Sequence, residues 1–327
     1  MIDQPEPLLV LLSLVEEMPL PPQAARRGRP DLYADRLIVK GLVVLLVRRV
    51  WTAHGLLALL AEPSPQMARV RAALADAQGR LPSRRTWERR LNRLAGVLPL
   101  LIALLGAWLL QRLEPWPRGG RAVAIDSTLL RAHGGVWHQK HREAGVVPHT
   151  SIDTEAHWTK SGWHGWVYGW KLHVVVTVSD IVWLPLAADL TPANVADNEH
   201  APALLDGLPE PVGAVLGDQH YNDPDLHTLV TGAGRLLITT KRGAYPHTDA
   251  GVEVRRLFHQ LRSHAIENFN AQCKAIFGCL GNVPTRGLTQ TRLFALGAVL
   301  LYQLTLWHHA IADRDLRQGL KPFLLSA

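Results

Sequence analysis

The chain has only two cysteines, Cys273 and Cys279, and they do not form a CxxC pair. Two thiols can neither build a disulfide framework nor complete a zinc site alone. The sequence also lacks the HExxH spacing of helical zinc sites, so its 16 histidines do not indicate a zinc enzyme. These absences favour a reduced, cytoplasmic protein.

Long hydrophobic runs are also scarce. The stretch from Leu94 to Leu110 is apolar, but Pro99 interrupts it. A helix of that length covers about 25 Å, which is short of a typical hydrocarbon core. Acidic residues precede the first apolar run at Leu8, unlike a signal peptide. We therefore expect no membrane partner, and we predict a buried helix here or a helix broken at Pro99.

Positive charge is concentrated in the first third of the chain. Residues 1–115 contain 16 Lys and Arg against 10 Asp and Glu, which is +6 of the total net charge of +7. Apolar residues make up 47% of the chain and charged residues 19%, which predicts a packed globular protein. A basic module followed by a nearly neutral remainder indicates a polyanion-binding region. The alternative is a basic face that only improves solubility.

Apolar residues recur at three- and four-residue steps through residues 1–115, which predicts an all-helical region. Ser83 is a suitable N-cap for a helix with arginines on one side and Trp87 on the other. The arginines are Arg84, Arg85, Arg89 and Arg90. This pattern fits the recognition helix of a helix-turn-helix domain, although an exposed basic helix without a partner would look the same. RRGRP at 26–30 fits either a minor-groove arm or a linker.

Prolines and glycines between residues 115 and 120 mark a domain boundary. Beyond it, three predicted strands are followed by helix, strand, helix, strand and two long helices. This is the element order of the RNase H-like fold, an α/β class with a mixed sheet flanked by helices. We therefore predict a helical DNA-binding domain over 1–115, an RNase H-like α/β domain over 118–310 and a C-terminal tail over 311–327.

Three carboxylates stand in an informative order. Asp126 follows the apolar run AVAI, Asp218 follows AVLG, and Glu267 lies inside a predicted helix. A buried strand that stops at Asp places that side chain at the sheet edge, where ligands bind in α/β folds. Three hard oxygen donors suit two Mg²⁺ or Mn²⁺ ions, which can promote in-line attack on a phosphodiester. The pattern predicts a metal-dependent phosphoryl-transfer site.

Five ordered segments resemble the DDE transposases of bacterial insertion sequences. They are AIDST around Asp126, YGWKLH at 168–173, LTPANVADN at 190–198, LGDQHYND at 216–223 and the helix that carries Glu267 and Lys274. The resemblance covers roughly residues 118–310. It implies that Asp126, Asp218 and Glu267 bind two divalent metal ions, and that Lys274 contacts the phosphates of the transposon end. It also implies terminal inverted repeats and target DNA as partners, with the protein acting as a homodimer on DNA.

The chain departs from the family pattern at one basic position. Many members carry Arg four residues before the Glu, whereas this chain has Ser263 there and Arg262 one residue earlier. One residue turns a helix by about 100°, so Arg262 as a phosphate contact is an expectation that the structure must test.

An aromatic segment lies between His157 and Trp170 and is interspersed with Gly and Lys. Trp163 and Trp166 are the candidates for stacking on an unpaired DNA base. Burial in the core is the alternative for each. Tyr168 and Trp170 are predicted to enter the strand and face the core.

The sequence thus predicts a transposase that cuts and joins DNA ends. One alternative is a transposase-derived DNA-binding protein without catalysis, although its three acidic residues are intact. Another alternative is an RNase H-like repair nuclease, which would share the metal ions but would not catalyse strand transfer.

Overall fold

The computed structural model describes residues 6–22, 31–115, 121–162, 164–240, 249–277 and 282–320. Three subjects of the sequence analysis therefore lie outside the described residues, namely the RRGRP segment, Trp163 and Cys279. Most of the predicted boundary between 115 and 120 also lies outside them.

The N-terminal part is helical, as predicted. Its helices are α1 (Pro7–Glu17), α2 (Asp35–Val47), α3 (Ala53–Leu60), α4 (Pro65–Ala73) and α5 (Arg84–Leu113). Ser83 caps α5 as expected, because its hydroxyl accepts a hydrogen bond from the backbone N–H of Thr86. Thr52 and Ser64 cap α3 and α4 in the same way. The sequence pattern did not predict α3 as a separate helix.

The α5 helix continues through Pro99 without a break. It therefore joins the arginine-rich turn and the apolar stretch, which the sequence analysis treated as two elements. Proline lacks one backbone donor, so a continuous helix requires stabilisation from its surroundings. The necessary packing comes from helix α10 (Leu288–Ile311) and strand β4 (Pro185–Pro192), which both contact α5.

A mixed six-stranded sheet forms the centre of the remaining chain, which confirms the predicted α/β class. Its strands are β1 (Ala122–Arg131), β2 (His157–Ser161), β3 (Gly165–Thr177), β4, β5 (Ala214–Gly217) and β6 (Leu236–Thr239). Strand order is β4-β3-β1-β5-β6, and β2 pairs with the first part of β3. β3 is antiparallel to β1 and β4, whereas β1, β5 and β6 are parallel. β2 was not predicted from the sequence.

Five further helices complete the described chain. They are α6 (Gln139–Glu143), α7 (Asp197–Leu205), α8 (Pro224–Gly232), α9 (Asp249–Ile276) and α10. The α9 helix contacts β1 and β3, and α7 contacts β3 and β4. Short 3₁₀ turns occur at Gln219–Tyr221 and Leu316–Gln318.

The N-terminal helices and the sheet share one continuous hydrophobic core. Gln303 of α10 donates hydrogen bonds to the carbonyls of Ile102 in α5 and Pro185 in β4, each at 2.8 Å. At Gly106 of α5, a Cβ atom would lie 2.7 Å from the Pro185 carbonyl, so only glycine permits this close approach. The helices before residue 115 are thus packed onto the sheet through α5 and α10.

Helices α5 and α10 are long and apolar enough to cross a membrane by length and composition. However, 89% of the apolar stretch of α10 and 50% of that of α5 are buried within the protein. These helices therefore serve the core and give no clear membrane signal.

Candidate active site

Asp126 and Asp218 lie on neighbouring parallel strands. The register pairs Ala122 with Ala214 and Ala124 with Leu216, and β5 then ends at Gly217. Continuing this register by two residues places Asp126 beside Asp218. The two predicted carboxylates therefore meet where β5 stops.

The run RAVAIDSTLL at 121–130 predicts one strand that continues past Asp126, and β1 confirms it, so Asp126 ends the apolar run but not the strand. β1 continues to Arg131 because β3 pairs with it along this whole length, opposite Asp126 at Val174 and opposite Arg131 at Gly169. Only the parallel partner β5 stops at this level. Asp126 therefore lies at an edge of the sheet because its neighbour β5 ends there, not because β1 ends.

The carboxylate of Asp126 has two hydrogen-bond donors. Its Oδ1 accepts from the backbone N–H of Ser127 at 2.8 Å, and its Oδ2 accepts from Nη1 of Arg262 at 3.0 Å. Burial raises the pKa of Asp126 to about 6, and the negative charge of Asp218 adds to this rise, while Arg262 opposes it. The ionised form of Asp126 is therefore costly without a further positive charge.

Asp218 is held by the turn that follows β5. Its Oδ1 accepts a hydrogen bond of 2.8 Å from the backbone N–H of His220 and so caps the 3₁₀ turn. Tyr221 of this turn is buried against Gly217, where a Cβ atom would lie 2.8 Å from that of Tyr221. Burial, together with the charges of nearby aspartates that include Asp126 and Asp218, raises the pKa of Tyr221 well above its ordinary value. Tyr221 thus remains a neutral phenol beside the carboxylates.

Arg262, and not Glu267, faces Asp126 from α9. Ile266, Phe269 and Cys273 are buried at helical spacing from Arg262, so they form the stripe that packs towards the sheet. Glu267 is exposed and lies about 140° around the helix from Arg262.

The structure therefore brings together Asp126 and Asp218 and leaves Glu267 on another side of α9. Within the described ranges, no group of three or more His, Cys, Asp and Glu side chains is close enough to hold a metal ion. Lys274 is half-buried, and burial lowers its pKa. Since seven residues are almost two helical turns, Lys274 shares a face of α9 with Glu267.

Polar contacts on the other face of the sheet were missed by the sequence analysis. The hydroxyl of Ser127 donates to Oδ1 of Asp197 at 2.8 Å, and Nζ of Lys171 donates to the same oxygen at 3.1 Å. Successive side chains in a strand point to opposite faces, so Ser127 faces α7 while Asp126 faces α9. The signal was present in the motifs, because a hydroxyl directly follows Asp126 in AIDST and an acidic residue stands in LTPANVADN.

The arginines at the start of α5 differ in exposure. Arg85 is exposed, Arg89 is 70% exposed and Arg84 is 63% exposed, with Arg84 paired to Glu88. Arg90 is only 3% exposed and binds Oδ1 of Asp35 at 2.7 Å. The prediction that Arg90 is a DNA contact is therefore wrong, because its guanidinium ties α5 to α2.

The opposite stripe of α5 is buried at Trp87, as predicted, and also at Leu91 and Leu94. A Cβ atom at Gly41 of α2 would lie 2.3 Å from the Trp87 ring, so the two helices are in close contact. The exposed arginines thus project from a firmly anchored helix.

Trp166 lies at the start of β3, opposite Lys160 of β2, and is 65% exposed. Tyr168 and Trp170 are buried, as predicted. Trp166 is thus available on the surface of the β2–β3 hairpin.

The family model described as the transposase DDE domain matches residues 117–304, which is more than half of the chain. The chain belongs to the transposase DDE domain family. The match begins near the predicted boundary and spans Asp126, Asp218, Glu267 and Lys274. It confirms the predicted transposase function.

Solved transposase structures are also similar to this transposase. A piggyBac transposase synaptic complex with hairpin DNA matches with 10% identity and a TM-score of 0.40, over 98% of this chain and 76% of that chain. A Mos1 transposase paired-end complex with the left transposon end matches with 12% identity and a TM-score of 0.23, over 90% and 82%. No curated protein matches the sequence significantly.

Proposed function

We propose that this transposase cleaves DNA strands at the ends of an insertion sequence and joins them to target DNA with the help of divalent metal ions. The closeness of Asp126 and Asp218 carries the proposal: it is supported by the parallel register that ends two residues before each aspartate and by the effect of the Asp218 charge on the pKa of Asp126. Parallel strands present their carboxyl ends at a common sheet edge, where ligands bind in open α/β sheets.

The residues at this edge fit a hard divalent cation. Mg²⁺ is commonly bound through one or two carboxylates together with substrate phosphates. The raised pKa of Asp126 comes first from burial and then from Asp218, so the pair lacks compensating positive charge even with Arg262 in place. Asp126 and Asp218 would hold Mg²⁺ or Mn²⁺, and two such ions would activate the attacking hydroxyl and stabilise the leaving oxygen.

The residues around the carboxylates have distinct tasks in this proposal. The backbone N–H of Ser127 orients Asp126 from within β1, and the cap on the 3₁₀ turn orients Asp218. Arg262 donates a hydrogen bond to Oδ2 of Asp126, and this bond must break before that oxygen can bind a cation. Glu267 remains the predicted third ligand, and its participation requires α9 to move because this side chain lies on another side of the helix.

DNA would be bound by basic and aromatic side chains on several elements. We propose the exposed arginines of α5, namely Arg84, Arg85 and Arg89, as phosphate or base contacts. Lys274 would contact phosphates of the DNA end, and Trp166 would stack on an unpaired base there. Two copies of the chain would bring two ends together as a homodimer.

The test is cleavage of duplex DNA that carries the ends of the element, with Mg²⁺ or Mn²⁺, by the wild type and by Asp126→Asn, Asp218→Asn and Glu267→Gln. Each substitution preserves side-chain size and removes one charge, so cleavage should be abolished while DNA binding, measured by fluorescence anisotropy, is retained. Asp225→Asn is a matched control, because Asp225 is an exposed carboxylate of α8.

The variants separate the possible outcomes. Near-normal cleavage by Glu267→Gln would show that Glu267 is not a ligand, and would leave the assignment of Asp126 and Asp218 unchanged. Near-normal cleavage by both aspartate variants would refute the proposal. DNA binding by the wild type without cleavage under either metal would favour a transposase-derived binding protein, and cleavage without strand transfer would favour a nuclease.

A further inference from the structure

Ser127 connects Asp126 to a buried polar cluster on the opposite face of the sheet. Its backbone N–H donates to Oδ1 of Asp126, and its hydroxyl donates to Oδ1 of Asp197, each at 2.8 Å. Ser127 therefore bonds to Asp126 through its backbone and to Asp197 through its side chain. The bond to Asp197 helps to fix the position of the backbone N–H that orients Asp126.

Asp197 anchors this arrangement at the first residue of α7. Its Oδ1 also accepts from Nζ of Lys171 at 3.1 Å, and Lys171 in turn donates to the carbonyl of Val195 at 2.8 Å. The side chains of Asp197 and Lys171 are 17% and 12% exposed, so this ion pair is weakly screened by solvent. The pair therefore ties the start of α7 to β3 and β1 beside Asp126.

His173 also faces Asp197, with Nδ1 at 3.7 Å from Oδ1. Burial, with a contribution from the neighbouring His200, lowers the pKa of His173 to about 4. His173 is thus neutral near pH 7, and Lys171 supplies the positive charge opposite Asp197.

We propose that Asp197 is a positioning residue that, through the hydroxyl of Ser127, holds the carboxylate of Asp126 in the orientation needed to bind a divalent cation. This inference rests on the proposed function, in which Asp126 is a ligand of the metal ion. Hydrogen-bond partners of metal ligands commonly contribute ten- to hundredfold to metal affinity or activity when they are intact. Asp197 acts one contact further away, through Ser127.

The experiment compares full-length wild type, Ser127→Ala, Ser127→Thr and Asp197→Asn. Mn²⁺ binding without DNA is measured by electron paramagnetic resonance, and cleavage of end DNA is measured over a range of Mg²⁺ concentrations. Ser127→Ala and Asp197→Asn should weaken Mn²⁺ binding about tenfold or more and raise the Mg²⁺ midpoint for cleavage. The KM for DNA should not change, and Ser127→Thr, which keeps the hydroxyl, should restore Mn²⁺ binding.

Thr305→Val is the control for a lost buried hydrogen bond, because Thr305 donates to the carbonyl of Leu301 within α10. It should lower the unfolding temperature without changing Mn²⁺ affinity. If Asp197→Asn does not fold, Ser127→Ala tests the same connection.

The failures of the two proposals are distinguishable. Unchanged Mn²⁺ affinity in folded Ser127→Ala and Asp197→Asn, with Asp126→Asn unable to bind Mn²⁺, would overturn the positioning role and leave the proposed function intact. Normal Mn²⁺ binding and cleavage by Asp126→Asn would overturn both proposals.

Discussion

Replacing Asp126 with Asn should stabilise the metal-free protein at alkaline pH. Burial, with the charge of Asp218, raises the pKa of Asp126 from 3.8 to about 6. The folded state therefore holds this proton more tightly than the unfolded chain does. The energetic cost of ionising Asp126 is absent below pH 3.8, develops between pH 3.8 and 6, and is complete above pH 6.

The size of the effect follows from the shift. About two pKa units, at about 1.4 kcal/mol each, correspond to a gain of up to about 3 kcal/mol for Asp126→Asn at pH 8. The variant should show little gain near pH 4, where the wild-type carboxyl is largely protonated in the folded protein. Asparagine resembles the protonated acid, and both leave Arg262 without a charged partner, so the comparison isolates the ionisation of Asp126.

The assay is urea unfolding, followed by circular dichroism, at pH 4, 6 and 8 in EDTA and again in Mg²⁺. Mg²⁺ should stabilise the wild type and have no effect on Asp126→Asn, because binding to the folded state alone raises stability. Asp31→Asn is the contrasting control, because a hydrogen bond from Arg93 holds the pKa of Asp31 below its ordinary value. Its neutralisation should lower stability once the pH exceeds about 4, with or without Mg²⁺.

A loss of stability in Asp126→Asn at pH 8 in EDTA would refute this reasoning. It would mean that the ion pair with Arg262 outweighs the burial of the carboxylate. A gain that does not depend on pH would assign the effect to packing.

Other substitutions test the DNA surface and the sheet. Trp166→Ala should weaken binding to DNA ends by about 1–3 kcal/mol if a base stacks there, with an unchanged unfolding temperature because the side chain is exposed. Arg89→Ala should reduce the slope of log K against log salt by about 0.9 if this residue neutralises one phosphate. Gly169→Ala should destabilise the fold by 1–3 kcal/mol or more in thermal melts, since its Cβ would lie 2.0 Å from the Leu130 carbonyl. Gly162→Ala, with nothing within 4 Å, is the matched control and should melt much closer to the wild type.

Local patterns predicted most of the elements. Apolar periodicity identified most of the helices but not α3, and Ser83 correctly marked the start of α5 because capping depends on neighbouring residues alone. Runs of apolar residues identified β1 and β5 in the same way. β2 could not be predicted in this way because the strand is half-exposed and has little apolar character.

The extent of an element depends on its partners, which the local sequence does not reveal. α5 passes Pro99 because α10 and β4 pack against it. A fragment beginning at residue 118 would therefore lack the helix that covers α10. Point substitutions such as Arg89→Ala are consequently a better test of the DNA-binding role of residues 1–115 than truncation is.

The orientation of α9 was the least predictable feature, because two kinds of information disagree there. Family spacing indicates that Glu267 belongs to the site, whereas the apolar stripe of Ile266, Phe269 and Cys273 turns Arg262 towards Asp126. Burial of that stripe fixes the helix in the structure described here, and a cation at Asp126 would remove the attraction that holds Arg262. If Glu267 is a ligand, Glu267→Gln should weaken Mn²⁺ binding and Arg262→Gln should strengthen it. If Glu267 is not a ligand, only the arginine variant should change the affinity.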